Sequence, residues 1–129
     1  MQKEEKNLAL KFMLAKEFRI KFKKDFDNIL KSRNKFFSNN FSLKFSQNNQ
    51  GVSKFSIVVS AKISKKAVIR NQLRRRIFEI LRLKMPNISP GYNVMIFPKA
   101  GALSLDYHKL EQEILYLLNK SRLLKNETR

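Results

Sequence analysis

Lys62, Lys65, Lys66, Arg70, Asn71, Arg74, Arg75, Arg76 and Arg82 crowd into the stretch Lys62–Lys84, which holds nine of the 28 basic residues and one acid, Glu79. The chemistry open to such a set is phosphate recognition. Guanidinium is planar and permanently charged, and it grips phosphate oxygens through two parallel hydrogen bonds or stacks on a base. Lysine would serve equally well for solubility, so five arginines on one stretch suit a structured RNA or DNA backbone. Bond-breaking chemistry is poorly served. The chain has no cysteine and one histidine, His108, which excludes thiolate nucleophiles, cysteine-based zinc sites and paired-histidine metal sites. Asp25 and Asp27 are a close carboxylate pair, but two positions apart on a helix they diverge. No protein-only nuclease site can be assembled from these residues.

An element must hold this set in place, and the apolar spacing names it. Ile69, Leu73, Ile77 and Ile80 recur at helical intervals. At about 100° per residue they gather on one side of a helix, Asn71, Arg75, Phe78 and Arg82 gather opposite, and Arg70 and Arg74 fall between. The helix is predicted to start near Lys65 with Ser64 as its cap and to end before Pro86. Phe78 is expected to stand exposed among the arginines, where a partner would supply a burial worth about 2 kcal/mol.

The surrounding chain supplies a modest core. Its 129 residues suit one domain, 43% of them are apolar, and the formal net charge of +18 calls for a polyanionic partner. Residues 1–18 mix Lys and Glu around a few apolar positions and read as a helical or flexible extension. Phe18, Phe22, Phe26 and Ile29 predict one face of a first helix, and Ser32–Asn40 reads as a turn-rich segment. Phe41–Ser46 and Phe55–Ser60 alternate as two half-buried strands, which Gln47–Gly51 is expected to join as a hairpin. Between Lys35 and Ala61 there are three lysines and no acid, so the polar face of this sheet is positive or neutral. Tyr92–Phe97 suits a strand buried on both faces, and Asp106 can cap a last helix with Leu110, Ile114, Leu117 and Leu118 inward. From Lys120 a polar tail is expected to fray. The expected order is α-β-β-α-β-α, one sheet with helices against it. No apolar run reaches membrane-spanning length and the first residues lack a signal-peptide pattern, so a soluble cytoplasmic protein with no membrane partner is expected.

Val59-Ser60-Ala61-Lys62, Lys65-Lys66-Ala67-Val68, Arg70-Asn71-Gln72-Leu73-Arg74-Arg75 and Glu79 resemble the signature of the bacterial ribonuclease P protein component. That family has a Val-Ser-Lys-Lys-like strand end, a short basic bridge and an Arg-Asn-Arg-x-Lys-Arg helix start. Asp25-Phe26, Phe41-Ser42-Leu43 and Gly91-Tyr92-Asn93 are similar to further family positions, and the resemblance covers about residues 19–122, leaving 123–129 as a polar tail. The chain departs from the pattern at Ala61, Gln72, Phe78, Asn93 and Lys99, where Lys, Arg, Arg, Asp and Arg are usual.

The resemblance implies an α+β fold, a single α/β sandwich with one mainly antiparallel sheet and a left-handed β-α-β crossover, like the second domain of a small-subunit ribosomal protein. It implies a subunit of the ribonucleoprotein endoribonuclease that removes the 5′ leader of precursor tRNA, with the chemistry carried by the RNA subunit and its Mg²⁺. By position, Lys62, Lys65, Lys66, Arg70, Asn71, Arg74, Arg75 and Arg82 would bind the ribonuclease P RNA. Phe26, Leu30 and Lys44 would line a cleft for the precursor tRNA leader. No catalytic residue and no cofactor on the protein itself are expected, and one protein would join one RNA. The alternative is a basic structural RNA-binding protein such as a ribosomal protein, which shares size, basicity and layering. A duplex-DNA binder is disfavoured by the lack of a helix-turn-helix pair. A membrane-surface protein would leave the arginine cluster unexplained.

Overall fold

The computed structural model describes residues 16–125. In chain order they form α1 (Lys23–Lys31), β1 (Lys35–Phe37), β2 (Phe41–Gln47), β3 (Lys54–Ile57), α2 (Ala67–Lys84), β4 (Tyr92–Pro98) and α3 (Tyr107–Lys120). Single 3-10 turns follow α2 at Met85–Asn87 and β4 at Ala100–Ser104. The helix expected within residues 1–17 falls almost wholly outside the described residues.

One sheet runs in the order β1-β2-β4-β3, antiparallel except for the parallel β3–β4 pair. The α+β class and the mainly antiparallel sheet are as expected. The hairpin is not. β2 and β3 do not pair, because β4 lies between them. The reason is in the strand compositions. Asn93–Ile96 are all buried, so β4 needs cover on both faces and takes the central place, while β2 and β3 each have a polar face. The segment from Asn48 to Ser53 therefore crosses the end of β4. The Asn48 backbone N–H donates to the Gly91 carbonyl at 2.9 Å, and its side-chain amide donates to Asn93 Oδ1 at 2.9 Å.

Two cores sit on opposite faces of the sheet. Phe41, Leu43, Phe55, Ile57, Val94 and Ile96 meet α2 and α3 through Leu73, Ile77, Ile80, Leu110, Ile114 and Leu118. On the other face Met95 packs with Ile20 and Ile29, joined by Phe26 and Phe97. Alternation along the strands assigns each side chain to its face.

Three local expectations are corrected. Residues 35–37, placed in a turn-rich segment, form the short edge strand β1. The first helix starts only at Lys23, and Phe22, at its N-cap, is 65% exposed. Phe18–Ile20 instead run beside β3: the Phe55 N–H donates to the Phe18 carbonyl at 2.7 Å and the Ile20 N–H to the Phe55 carbonyl at 3.1 Å. An open strand edge leaves backbone groups unpaired, and satisfying them outweighs continuing a phenylalanine stripe on a helix. Finally, the tail is docked as far as Lys125. Leu123 is buried, its carbonyl accepts from the Ser89 N–H at 2.8 Å, and Leu124 bridges to Ile88.

Candidate nucleic-acid interface

The basic stretch builds a loop followed by a helix. Ser64 does not cap the helix directly; its hydroxyl accepts from the Lys66 N–H at 3.2 Å, and Lys66 takes the N-cap position without a side-chain cap. Arg70 reaches back to the Ser64 carbonyl at 2.8 Å, which ties the loop carrying Lys62, Lys65 and Lys66 to the first turn. All three lysines are exposed, and the first turn contains no acid. Cations at a helix N-terminus oppose its dipole, so this end is unfavourable on its own and favourable beside an anion.

Asn71, Arg74 and Arg75 turn toward the outer edge of β3. With Arg19, Ile20, Phe55, Ser56, Ile57 and Phe78 they line a cleft of about 510 Å³. Arg74 donates to Asn71 Oδ1, so the two present a joined polar surface, and Arg75 is exposed beside them. Phe78 is the correction here. It is not exposed among the arginines but 6% exposed in the main core, with the Arg19 guanidinium 5.0 Å from its ring centroid. Leu73, Ile77, Phe78, Ile80 and Leu81 are all buried, so the apolar arc covers about half the helix circumference. A stripe of four residues predicted a narrower one.

Arg19 is the residue that sequence reasoning missed. It arrives from outside the basic stretch because Phe18–Ile20 pair with β3, and only that pairing sets it across the cleft from Asn71, Arg74 and Arg75. No periodicity in the chain marks it. Arg82, in contrast, stands apart from the cluster. Its fork is filled by Glu79, with contacts of 2.7 and 3.1 Å, and its side chain is 13% exposed. The bond to Glu79 raises the Arg82 pKa above its ordinary value. Lys84 likewise pairs with Glu111 of α3 at 3.6 Å.

The second group of predicted residues meets on the other face of the sheet. Phe26 is half-buried against the Ile20, Ile29 and Met95 cluster, and Leu30 is 53% exposed at the end of α1. Lys44 donates to the Leu30 carbonyl at 2.8 Å, so strand and helix are joined there. Register puts all three strand lysines on this face: Lys35 lies opposite Lys44, Lys44 opposite Met95, and Lys54 opposite Asn93. Like charges directly opposite one another weaken a sheet, and no acid in the strands offsets them. Ile20 belongs to both regions, packing beside Phe26 and lining the arginine cleft, so the two are adjacent around the β3 edge.

Among the described residues no group of three or more His, Cys, Asp or Glu side chains is placed to hold a metal ion, and His108 is exposed on α3. No helix among them is long and apolar enough to cross a membrane.

Comparison with known proteins gives this geometry a family. The model of the Ribonuclease P family matches residues 14–122. A ribonuclease P protein component from a Picosynechococcus species is 33% identical over 105 residues, covering 81% of this chain and 90% of its relative. One from a Cyanothece species is 27% identical over 128 residues, covering 87% and 98%. The RNase P protein of Thermotoga maritima superposes with a TM-score of 0.72 at 27% identity, covering 79% of this chain and 96% of that one. The chain belongs to the ribonuclease P protein family, the protein subunit of the endoribonuclease that matures the 5′ end of tRNA.

Proposed function

We propose that the two adjacent surfaces divide the work of leader removal. The ribonuclease P RNA docks on Lys62, Lys65, Lys66, Arg70, Asn71, Arg74 and Arg75, with Arg19 completing the cleft from the β3 side. Arg82 is left out of this set because Glu79 occupies its fork. The precursor tRNA leader lies on the α1 side of the sheet, between Phe26, Leu30 and Lys44. An unpaired strand has no groove to read, and a cationic sheet face with apolar groups at its rim offers phosphate contacts and stacking with little base selectivity. That suits a subunit serving many precursors. The RNA subunit holds the Mg²⁺ and performs the hydrolysis, one protein joins one RNA, the domain spans residues 19–122, and the assembly works in the cytoplasm.

The observation that carries this reading is the contiguity of the two cationic surfaces around the β3 edge, with Ile20 in both. It allows one protein to bridge the catalytic RNA and the strand to be removed. The test is reconstitution. The full chain mixed with its ribonuclease P RNA is expected to cleave precursor tRNA at Mg²⁺ concentrations where the RNA alone is nearly inactive. Cleavage no faster than with RNA alone would refute the reading.

A further inference from the structure

Beyond the α1 side of the sheet, the edge strand β1 and helix α3 carry a second group of cations and rings. Phe37 is 50% exposed and Tyr116 55% exposed. Lys35 and Lys99 sit 5.0 and 5.6 Å from the centroid of the Phe37 ring, and Lys120 sits 5.7 Å from that of Tyr116. Phe37 and Tyr116 border one hollow of about 720 Å³, with Lys109 and Lys120 also in its lining.

The hollow has one acid in its lining, Glu113, and that acid faces inward to the β1–β2 turn. Its carboxylate accepts from the Ser38 hydroxyl, from the Asn40 N–H at 2.6 Å and from the Asn40 side-chain amide at 2.9 Å. Burial alone would push the Glu113 pKa up, but these bonds and the nearby Lys99 outweigh it and hold the carboxyl below its usual range. The charge left to face a partner is therefore positive. The turn is also tightly seated. The Lys99 N–H donates to the Asn40 carbonyl at 2.8 Å, and a Cβ on Gly101 would stand 2.1 Å from Asn40 Oδ1. A platform fixed in advance loses little entropy when it is occupied.

Half-exposed aromatic rings flanked by lysines, with the one acid of the lining turned inward and hydrogen-bonded to Ser38 and Asn40, match the surface that binds an unpaired nucleic-acid strand by stacking and phosphate contact. Position selects the strand. Lys35 lies directly across from Lys44 in the ladder and two residues before Phe37, so the cationic row at the leader cleft continues over the sheet edge toward this hollow. We infer that Phe37 and Tyr116, with Lys35, Lys99, Lys109 and Lys120, form a second platform that stacks the 5′-distal nucleotides of the precursor tRNA leader after they leave the α1 cleft. This rests on the assignment of that cleft to the leader, and it makes leader length a determinant of affinity.

The experiment uses the full chain assembled with its ribonuclease P RNA and measures Kd for precursor tRNAs that differ only in leader length, with mature tRNA as the reference. For the native protein, a leader long enough to pass the sheet edge is expected to bind more tightly than one that ends in the α1 cleft. Phe37→Ala with Tyr116→Ala should remove that gain, about tenfold, and leave the short-leader precursor unaffected. Lys109→Glu, a reversal at an exposed position, should lose part of the gain without disturbing the fold. Full retention of the gain in both variants overturns the platform, as does a native protein that prefers precursor to mature tRNA but gains nothing from a longer leader. Equal weakening of short and long precursors also overturns it, because the occupant would then be a strand of the RNA subunit. A native protein that binds precursor and mature tRNA alike would instead refute the leader assignment of the α1 cleft.

Discussion

The first and last turns of α2 are made of similar residues and meet opposite fates. From Ala67 to Arg76 the helix carries four arginines, no acid and a single buried residue, Leu73. From Ile77 to Lys84 it carries Arg82 and Lys84, each paired with a glutamate, and four buried apolar residues. In the rear half Glu79 holds Arg82 and Glu111, from the α3 packed alongside, holds Lys84. The rear half pairs both of its cations with glutamates, whereas in the front half Arg70 and Arg74 bond to the Ser64 carbonyl and to Asn71.

The comparison breaks most visibly at Phe78, which the arginine wheel assigns to the binding side and the core claims. Phe78→Ala should cost about 3–5 kcal/mol in chemical denaturation, the usual range for emptying a buried phenylalanine site. A change below about 1 kcal/mol would mean that the ring belongs to the interface instead. Next in size is a paired test of two arginines. Arg75→Ala should weaken binding to the ribonuclease P RNA and lower the slope of log K against log salt by about 1. Arg82→Ala should leave that slope unchanged and lower stability by about 1 kcal/mol, because it removes a hydrogen-bonded partner from Glu79. Equal slopes for the two variants would erase the distinction between the halves.

The smallest effect concerns Glu113, which does for the β1–β2 turn what Glu79 does for Arg82. Its carboxyl is held below the ordinary glutamate value of about 4.3. A depressed folded-state pKa contributes stability that is present above the unfolded value and lost as pH falls through the folded one. Melting temperature should therefore drop in the native protein as pH falls below about 4.3. Glu113→Gln should be less stable at neutral pH and show a shallower acid decline. Parallel declines would show that the carboxylate is not the group being protonated.

Much of this outcome follows from local pattern, and the misses share one cause. Asp106 caps α3 by accepting from the Lys109 N–H at 2.8 Å, and the α3 stripe from Leu110 to Leu118 is buried, because caps and helical spacing act within a few residues. Strand partnership does not. Alternation in Phe41–Ser46 and Phe55–Ser60 identifies two strands equally well whether they pair with each other or with β4. The decision came from the apolar demand of a segment that lies some 40 residues further along the chain. Phe22 leaves the helix face for a similar reason: the stripe from Phe18 to Ile29 is helical in spacing, but the open edge of β3 draws Phe18–Ile20 out of it.

By itself the sequence determined that this chain carries a strongly basic amphipathic helix, that its strands carry no acid and that it has no cysteine and a single histidine. Those are properties of residue type and short-range spacing. Tertiary structure alone decided which cations remain available. It brought Glu111 to Lys84 at the rear of α2, folded Phe78 into the core under Arg19 and lined up Lys35 beside Lys44. A charge is available only when no neighbour in space neutralises it, and neighbours in space are set by how the sheet is ordered.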